Sequence, residues 1–342
     1  MMIALASGHD ASPVRVEPGV VPGLVLAFRF AADGSAVELV VDNPIDLAVP
    51  EGGWLWLHFN IADARACRWI AAAPELPAPA RTLILALNDH QQFYAAGDWF
   101  YGVFADLVRE IGHDVDRIAF LNFAMSDRIV VTGRRQSLQA VEETRAALNA
   151  GKRFAAPTAL MEAMVENVAA GMDRLLERLA NELDNIEDMV LVDAGRDERH
   201  RLGRVRRTGV HLHRQLTGLR ALFDRFRRSE EVGPALTAAM VRLAQLLEGL
   251  DQEVVALQER ARLLQEEIAS KLSEESARSL HTLTVLTALL LPPTLVAGIF
   301  GMNTGGMPFA GSPFGTLWAA GVGIVSAVLV YWLLRRLGII KR

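Results

Sequence analysis

From Ser279 to Leu334 the sequence contains no Asp, Glu, Lys or Arg, although charge is spread throughout the rest of the 342-residue chain. Two runs inside that stretch, Leu280 to Phe300 and Phe314 to Leu334, are each 21 residues long, and about 20 apolar residues cross a hydrocarbon core. A pair of soluble core helices would need no such exclusion of charge. Cysteine is nearly absent: Cys67 stands alone, which excludes an internal disulfide and any CxxC motif, and fits a reduced, cytosolic environment. The N-terminal MMIALASGHDASPVRVEPG has no basic n-region and too short an apolar run for a signal peptide, so the bulk of the chain is expected to stay where it is made. HExxH, P-loop and GxSxG patterns are missing, which leaves an enzyme reading without footing. A net charge of −5 is mild, and no stacking aromatics are interleaved with the basic residues, so nucleic acid is not an expected partner.

The front of the chain reads as mixed α/β. LVLAFRF and AVELVV flank Asp33-Gly34, a hairpin turn pair. In GGWLWLHFN the period of two puts Trp54, Trp56 and His58 on one face and Leu55, Leu57 and Phe59 on the other, which predicts a strand covered on both sides. A helix is expected from Ile61 to Ala73, then a proline-rich loop with Pro74, Pro77 and Pro79, and a later hairpin turning near Ser126-Asp127 in DRIAFLNFAMSDRIVVTG.

After Ser137 the pattern becomes helical. Pro157 to Met189 carry eight acidic and two basic residues, and Arg196 to Arg228 carry eleven arginines against three acids. The blocks predict an antiparallel hairpin whose faces pair, and they also admit a field along an ion path if repeated round an oligomer. Pro234 suits the first turn of a last long helix. From it Leu236, Met240, Leu243, Leu247, Leu250, Val254, Leu257, Ala261, Leu264 and Ile268 step by four and three, a heptad seam expected to hold copies together. One helix from Pro234 to Phe300 would measure roughly 100 Å at about 1.5 Å per residue.

Basic residues flank the apolar runs: Lys271 and Arg278 before the first, Arg335, Arg336, Lys341 and Arg342 after the second. The positive-inside rule then places both termini in the cytoplasm and the loop 301–313 outside, with Trp318 and Trp332 as interfacial anchors. Two spans cannot enclose a pore, so transport requires several copies round one axis, and Ala319, Gly323 and Ala327 offer a small face for close helix contact. Along the first span one stripe holds Leu280, Thr284, Thr287, Leu291, Thr294 and Gly298, and its continuation reaches Met302 and Asn303. Hydroxyls on an apolar helix suit a face turned to water, although threonine also bonds back to its own turn. At the outer end a carboxylate ring would hold a divalent ion too tightly for release, whereas Asn303 amide oxygens can accept hydrogen bonds from a hydrated ion.

LPPTLVAGIFGMN, Leu291 to Asn303, resembles the end of the pore helix in the CorA superfamily of divalent-cation transporters, whose signature is Gly-Met-Asn, and WLWLHFN is similar to a strand of that family's N-terminal domain. The resemblance covers the whole architecture. It implies a layered α/β/α cytosolic domain of the α+β class, then long helices and two C-terminal transmembrane helices, in a funnel-shaped homopentamer of the inner membrane. Gly301, Met302 and Asn303 would form the selectivity filter, the first span would line the pore, and the metal would meet Asn303 through its water shell. The domains are expected at 1–136, 137–279, 280–300, 301–313, 314–334 and 335–342. The loop TGGMPFAGSPFG has no acid and looks like that of the zinc-transporting ZntB branch, so Zn2+ uptake without a resident cofactor is the first expectation and Mg2+, Co2+ or Ni2+ the alternative.

A proton-coupled cycle needs a titratable group on the path. Within the spans only His281 qualifies, and its place near the cytosolic edge suits an interfacial residue. His211 and His213 face apart on a helix and are not expected to share a metal; His58 reads as a packed strand residue. The reading from another class is a membrane-anchored coiled-coil scaffold, which would have no use for the threonine stripe.

Overall fold

The computed structural model describes residues 21–41, 47–88, 90–109, 117–192, 196–227, 234–302, 314–337 and 339. Contacts divide the chain into two units, Met1–Met189 with Arg196–Leu263, and Val190–Gly195 with Leu264–Arg342.

The first unit is built on a seven-stranded sheet. Strands β1 (Leu24–Phe30) and β2 (Ala36–Glu38) form the expected hairpin. Asp33 closes its turn by accepting hydrogen bonds from the amide and hydroxyl of Ser35 at 3.0 and 2.6 Å. Gly34 adopts φ +78°, and a Cβ there would lie 2.9 Å from the Ala155 nitrogen and the Phe154 carbonyl carbon. Both the left-handed backbone and the close approach demand glycine, so Gly34→Ala is expected to destabilise the domain by at least about 1 kcal/mol, read as a shift in its denaturant midpoint.

Strand β3 (Trp54–Asn60) pairs antiparallel with β1 and parallel with β7 (Ile129–Arg134). Its first six residues are all buried, as its alternating apolar pattern predicts. Trp54 stacks on Phe30 at 3.6 Å between ring centroids and Trp56 on Phe28 at 5.7 Å. On the opposite face Leu55, Leu57 and Phe59 join a core with Ala66, Ile70, Ala80 and Ile84, which lie on α1 (Ala64–Ala71) and α2 (Ala78–Leu85). The proline-rich stretch is therefore not all loop: Pro79 sits in the first turn of α2, where its missing amide hydrogen has no helical partner to lose. The first helix is also shorter than expected, because Asp63 caps it by accepting from the Arg65 amide at 2.8 Å.

A hairpin that the pattern did not announce, β4 (Gln92–Ala96) with β5 (Trp99–Leu107), extends the sheet beyond β6 (Ile118–Met125) to give the order β2-β1-β3-β7-β6-β5-β4. Buried Asp106 on β5 accepts from the Leu107 amide at 2.7 Å and from the Ala140 amide at 2.9 Å, capping α3 (Gln139–Asn149) in place of a side chain of its own. His58 is fully buried, accepts from Arg134 Nε at 2.9 Å through Nε2, and meets the Thr132 hydroxyl at 2.7 Å through Nδ1. Burial, with Arg134 beside it, lowers its pKa from 6.5 to about 3. It is a packed strand residue held neutral.

Two long helices follow, α4 (Pro157–Val192) and α5 (Arg196–Arg227), and α6 (Pro234–Gly301) begins at the expected proline. The acidic and basic blocks meet directly and are also bridged by α6. Glu182 and Arg201 join α4 to α5 at 2.7 Å, and α6 takes up further charges from both helices. Arg242 pairs with Glu162, Arg260 reaches Asp184 at 2.7 Å and Glu187 at 2.9 Å, and Asp251 and Glu248 hold His213 and Arg220 of α5.

That third helix also corrects the heptad reading. Met240, Leu243, Leu247, Leu250, Val254, Leu257 and Ala261 are buried within a single chain, so this seam is an internal core and is not free to hold copies together. Leu264 and Ile268 are buried as well, and the side chain of Leu236 lies outside the described residues.

Candidate functional site

In the second unit, the remainder of α6 runs through the first apolar stretch, and α7 (Gly315–Arg336) forms the second. Both are long and apolar enough to cross a membrane. Lys271 anchors the approach by donating to the Val190 carbonyl at 2.8 Å. Pro292 and Pro293 lie inside α6, where each removes a backbone hydrogen bond and crowds the turn before it. They occupy the face turned to α7: an added Cβ on Gly323 would sit 3.8 Å from the Pro293 Cβ. The small residue lets the helices approach at this point, so the face of Ala319, Gly323 and Ala327 is used within one chain.

The half-buried residues of α6 in this stretch define that packed face: Val285, Ala288, Leu289, Pro292, Pro293, Val296 and Phe300. Leu280, Thr284, Thr287, Leu291, Thr294 and Gly298 are all exposed. The stripe predicted from spacing is thus brought onto one side of the helix and is left uncovered by its own chain. Each stripe hydroxyl donates to the carbonyl four residues back, Thr284 to Leu280 at 2.8 Å, Thr287 to Leu283 at 2.8 Å and Thr294 to Leu290 at 2.7 Å. With its hydrogen engaged, a hydroxyl presents lone pairs outward. Self-bonding and an acceptor-lined face are therefore compatible in one geometry, with hydroxyl oxygens left able to accept hydrogen bonds.

His281 is exposed and one residue out of the stripe. Gly301 closes α6, and the Met302 amide donates to the Ile299 carbonyl at 3.3 Å, leaving its side chain exposed. Asn303 and the loop through Pro313 lie outside the described residues. Near the other end of α7, the Arg336 guanidinium lies 5.2 Å from the Trp332 ring centroid, a pairing of cation and aromatic suited to a membrane interface.

Among the described residues no group of three or more His, Cys, Asp or Glu is placed to hold a metal ion. His211 meets Arg214 at 3.1 Å whereas His213 meets Asp251 at 2.6 Å, so the two imidazoles serve different partners. Sequence reasoning missed the part α6 plays in neutralising both charged helices. The available signal was the arginines and acids that alternate with its heptad positions.

Comparison with known proteins agrees with this architecture. The chain is 27% identical over 330 residues to the divalent cation transporter CmaX of Pseudomonas aeruginosa, covering 94% of this chain and 97% of that one. It is 24% identical over 299 residues to the zinc transport protein ZntB of an Enterobacter species, covering 86% and 89%. The solved structure of full-length CmaX superposes with a TM-score of 0.77 at 23% identity, covering 93% of this chain and 99% of that one. The model of one family spans residues 51–336, from the buried tryptophan strand to the end of the second apolar helix, and the chain belongs to that family, the CorA-like Mg2+ transporter proteins.

Proposed function

We propose that this chain moves Zn2+ into the cell as a homopentamer, with both termini in the cytoplasm, the first apolar helix of each copy lining the path and Asn303 of five copies ringing its outer mouth, Gly301 and Met302 completing the filter. The observation that carries the proposal is the exposed threonine stripe, opposite the face that packs on α7 and lined with oxygens whose hydrogens are already engaged. In a lone chain that stripe would put hydroxyls toward lipid to no purpose. Round a shared axis it gives a hydrated ion acceptors at successive turns, each weak enough to let it move on.

Zinc rests on two supports, the loop 301–313 without a single acid and the relatives named as zinc transport proteins. Magnesium has the family description behind it, and it keeps its water shell most firmly, which an amide ring also suits. Purified protein in proteoliposomes separates the two when Zn2+, Mg2+ and a pH gradient are varied independently. The expected result is Zn2+ influx that Mg2+ does not replace; Mg2+ uptake with no response to Zn2+ reverses the order.

A further inference from the structure

The first unit carries two charged stripes, the basic one exposed throughout and the acidic one exposed except at half-exposed Asp173. On α4 the residues Glu166, Asp173, Glu177, Asp184 and Asp188 lie on one line of threes and fours, turned away from that helix's buried face. On α5 a matching line of exposed bases runs His200, Arg204, Arg207, His211 and Arg214. Among the described residues no ion pair engages Asp173, Glu177 or Arg207.

The register of the hairpin matters here. Glu182 bonds Arg201, and Met161 and Phe223 line one cavity, so positions whose numbers add to about 383 or 384 stand at one level along the antiparallel helices. By that rule Asp184 is level with His200, Glu177 with Arg207 and Asp173 with His211. Rotation about an axis parallel to the hairpin preserves level. It therefore leaves each acid of one copy's α4 at the same height as the matching base on a neighbour's α5.

We infer that the acidic stripe of α4 docks on the basic stripe of α5 in a second copy of this chain, with Glu177 facing the partner copy's Arg207 position and Asp173 its His211 position. The contact is head-to-tail, since one copy gives its acids and receives its neighbour's acids on another face, and such contacts close into rings when the rotation allows. It supplies the cohesion between copies that the heptad seam, being internal, does not. The inference rests on the proposal that copies share one axis, and on nothing about which ion they carry.

Full-length protein in detergent tests it. Two single-cysteine chains are made on a Cys67→Ser background, one Glu177→Cys and the other Arg207→Cys, co-expressed with different tags and treated with a short bis-maleimide. A cross-linked dimer bearing both tags, lost when either chain is treated alone, is the expected result. Pairing Glu177→Cys with His200→Cys, about 10 Å out of register by helical rise, should give no such dimer. The assembled mass is measured on the same samples. An oligomer without the cross-link overturns this docking and leaves the stripes to solvent or another polyion, while the shared axis stands. A monomer overturns both.

Discussion

Asn303→Ala lowers Zn2+ flux roughly tenfold or more and leaves the assembled mass unchanged. A hydrogen bond to a charged species contributes about 1.5–3 kcal/mol, and each 1.4 kcal/mol is about a factor of ten; the proposed ring of amides would lose all of its acceptors at once in this variant. Asn303→Asp provides the opposite perturbation. Fixed negative charge holds the ion more tightly, so apparent affinity rises while maximal flux falls, because conduction needs release as much as capture. A coiled-coil scaffold would be indifferent to both changes. Wild-type flux from Asn303→Ala proteoliposomes of normal mass would remove the amide ring from the mechanism.

Asp106→Asn makes the stability of the sheet domain fall more steeply on acidification than the parent's, by about 1.4 kcal/mol per pH unit between about pH 4 and 6.5, or about 3 kcal/mol across the window. Asp106 is 1% exposed, and burial, opposed by the two amides it caps, lifts its pKa from 3.8 to about 7. Its folded form therefore keeps a proton that the unfolded chain has released, and raising the pH through that window favours unfolding. His58 works in reverse. Its pKa falls from 6.5 to about 3, so the unfolded chain takes up a proton on acidification that the folded one refuses, and lowering the pH favours unfolding.

Between about pH 4 and 6.5 the two slopes cancel in the parent. Removing the Asp106 titration leaves the histidine uncompensated, while asparagine preserves the size and one acceptor for the α3 cap. Hydrogen exchange at the β5 and β6 amides reads the local free energy. Parallel curves for variant and parent would mean that Asp106 is held as an ionised cap by its two backbone donors.

The membrane helices, their flanking charges and the threonine stripe were legible in the order of residues, because exclusion of charge over 21 positions and a period of three and four are properties of a single helix. So was β3, whose alternating apolar pattern requires cover on both faces. The β4–β5 hairpin was not legible. QFYAAGDWFYGVFADL mixes small and aromatic residues without strict alternation, and its place at the sheet edge is set by the antiparallel pairing of β5 with the next strand, β6, which no pattern inside the hairpin announces.

Asp106 shows the same division. Its capping of α3 depends on a strand and a helix 34 residues apart meeting end to end, which no local pattern encodes. The clearest separation is in α6. Its heptad determined that a seam is buried, yet a hydrophobic stripe carries no label for its partner, and only the packing of α4 and α5 decided that the seam closes within one chain. Periodicity is a property of one element and can be read along it, whereas the choice between an internal and an intermolecular surface is a competition among all the faces present, settled only when the chain has folded.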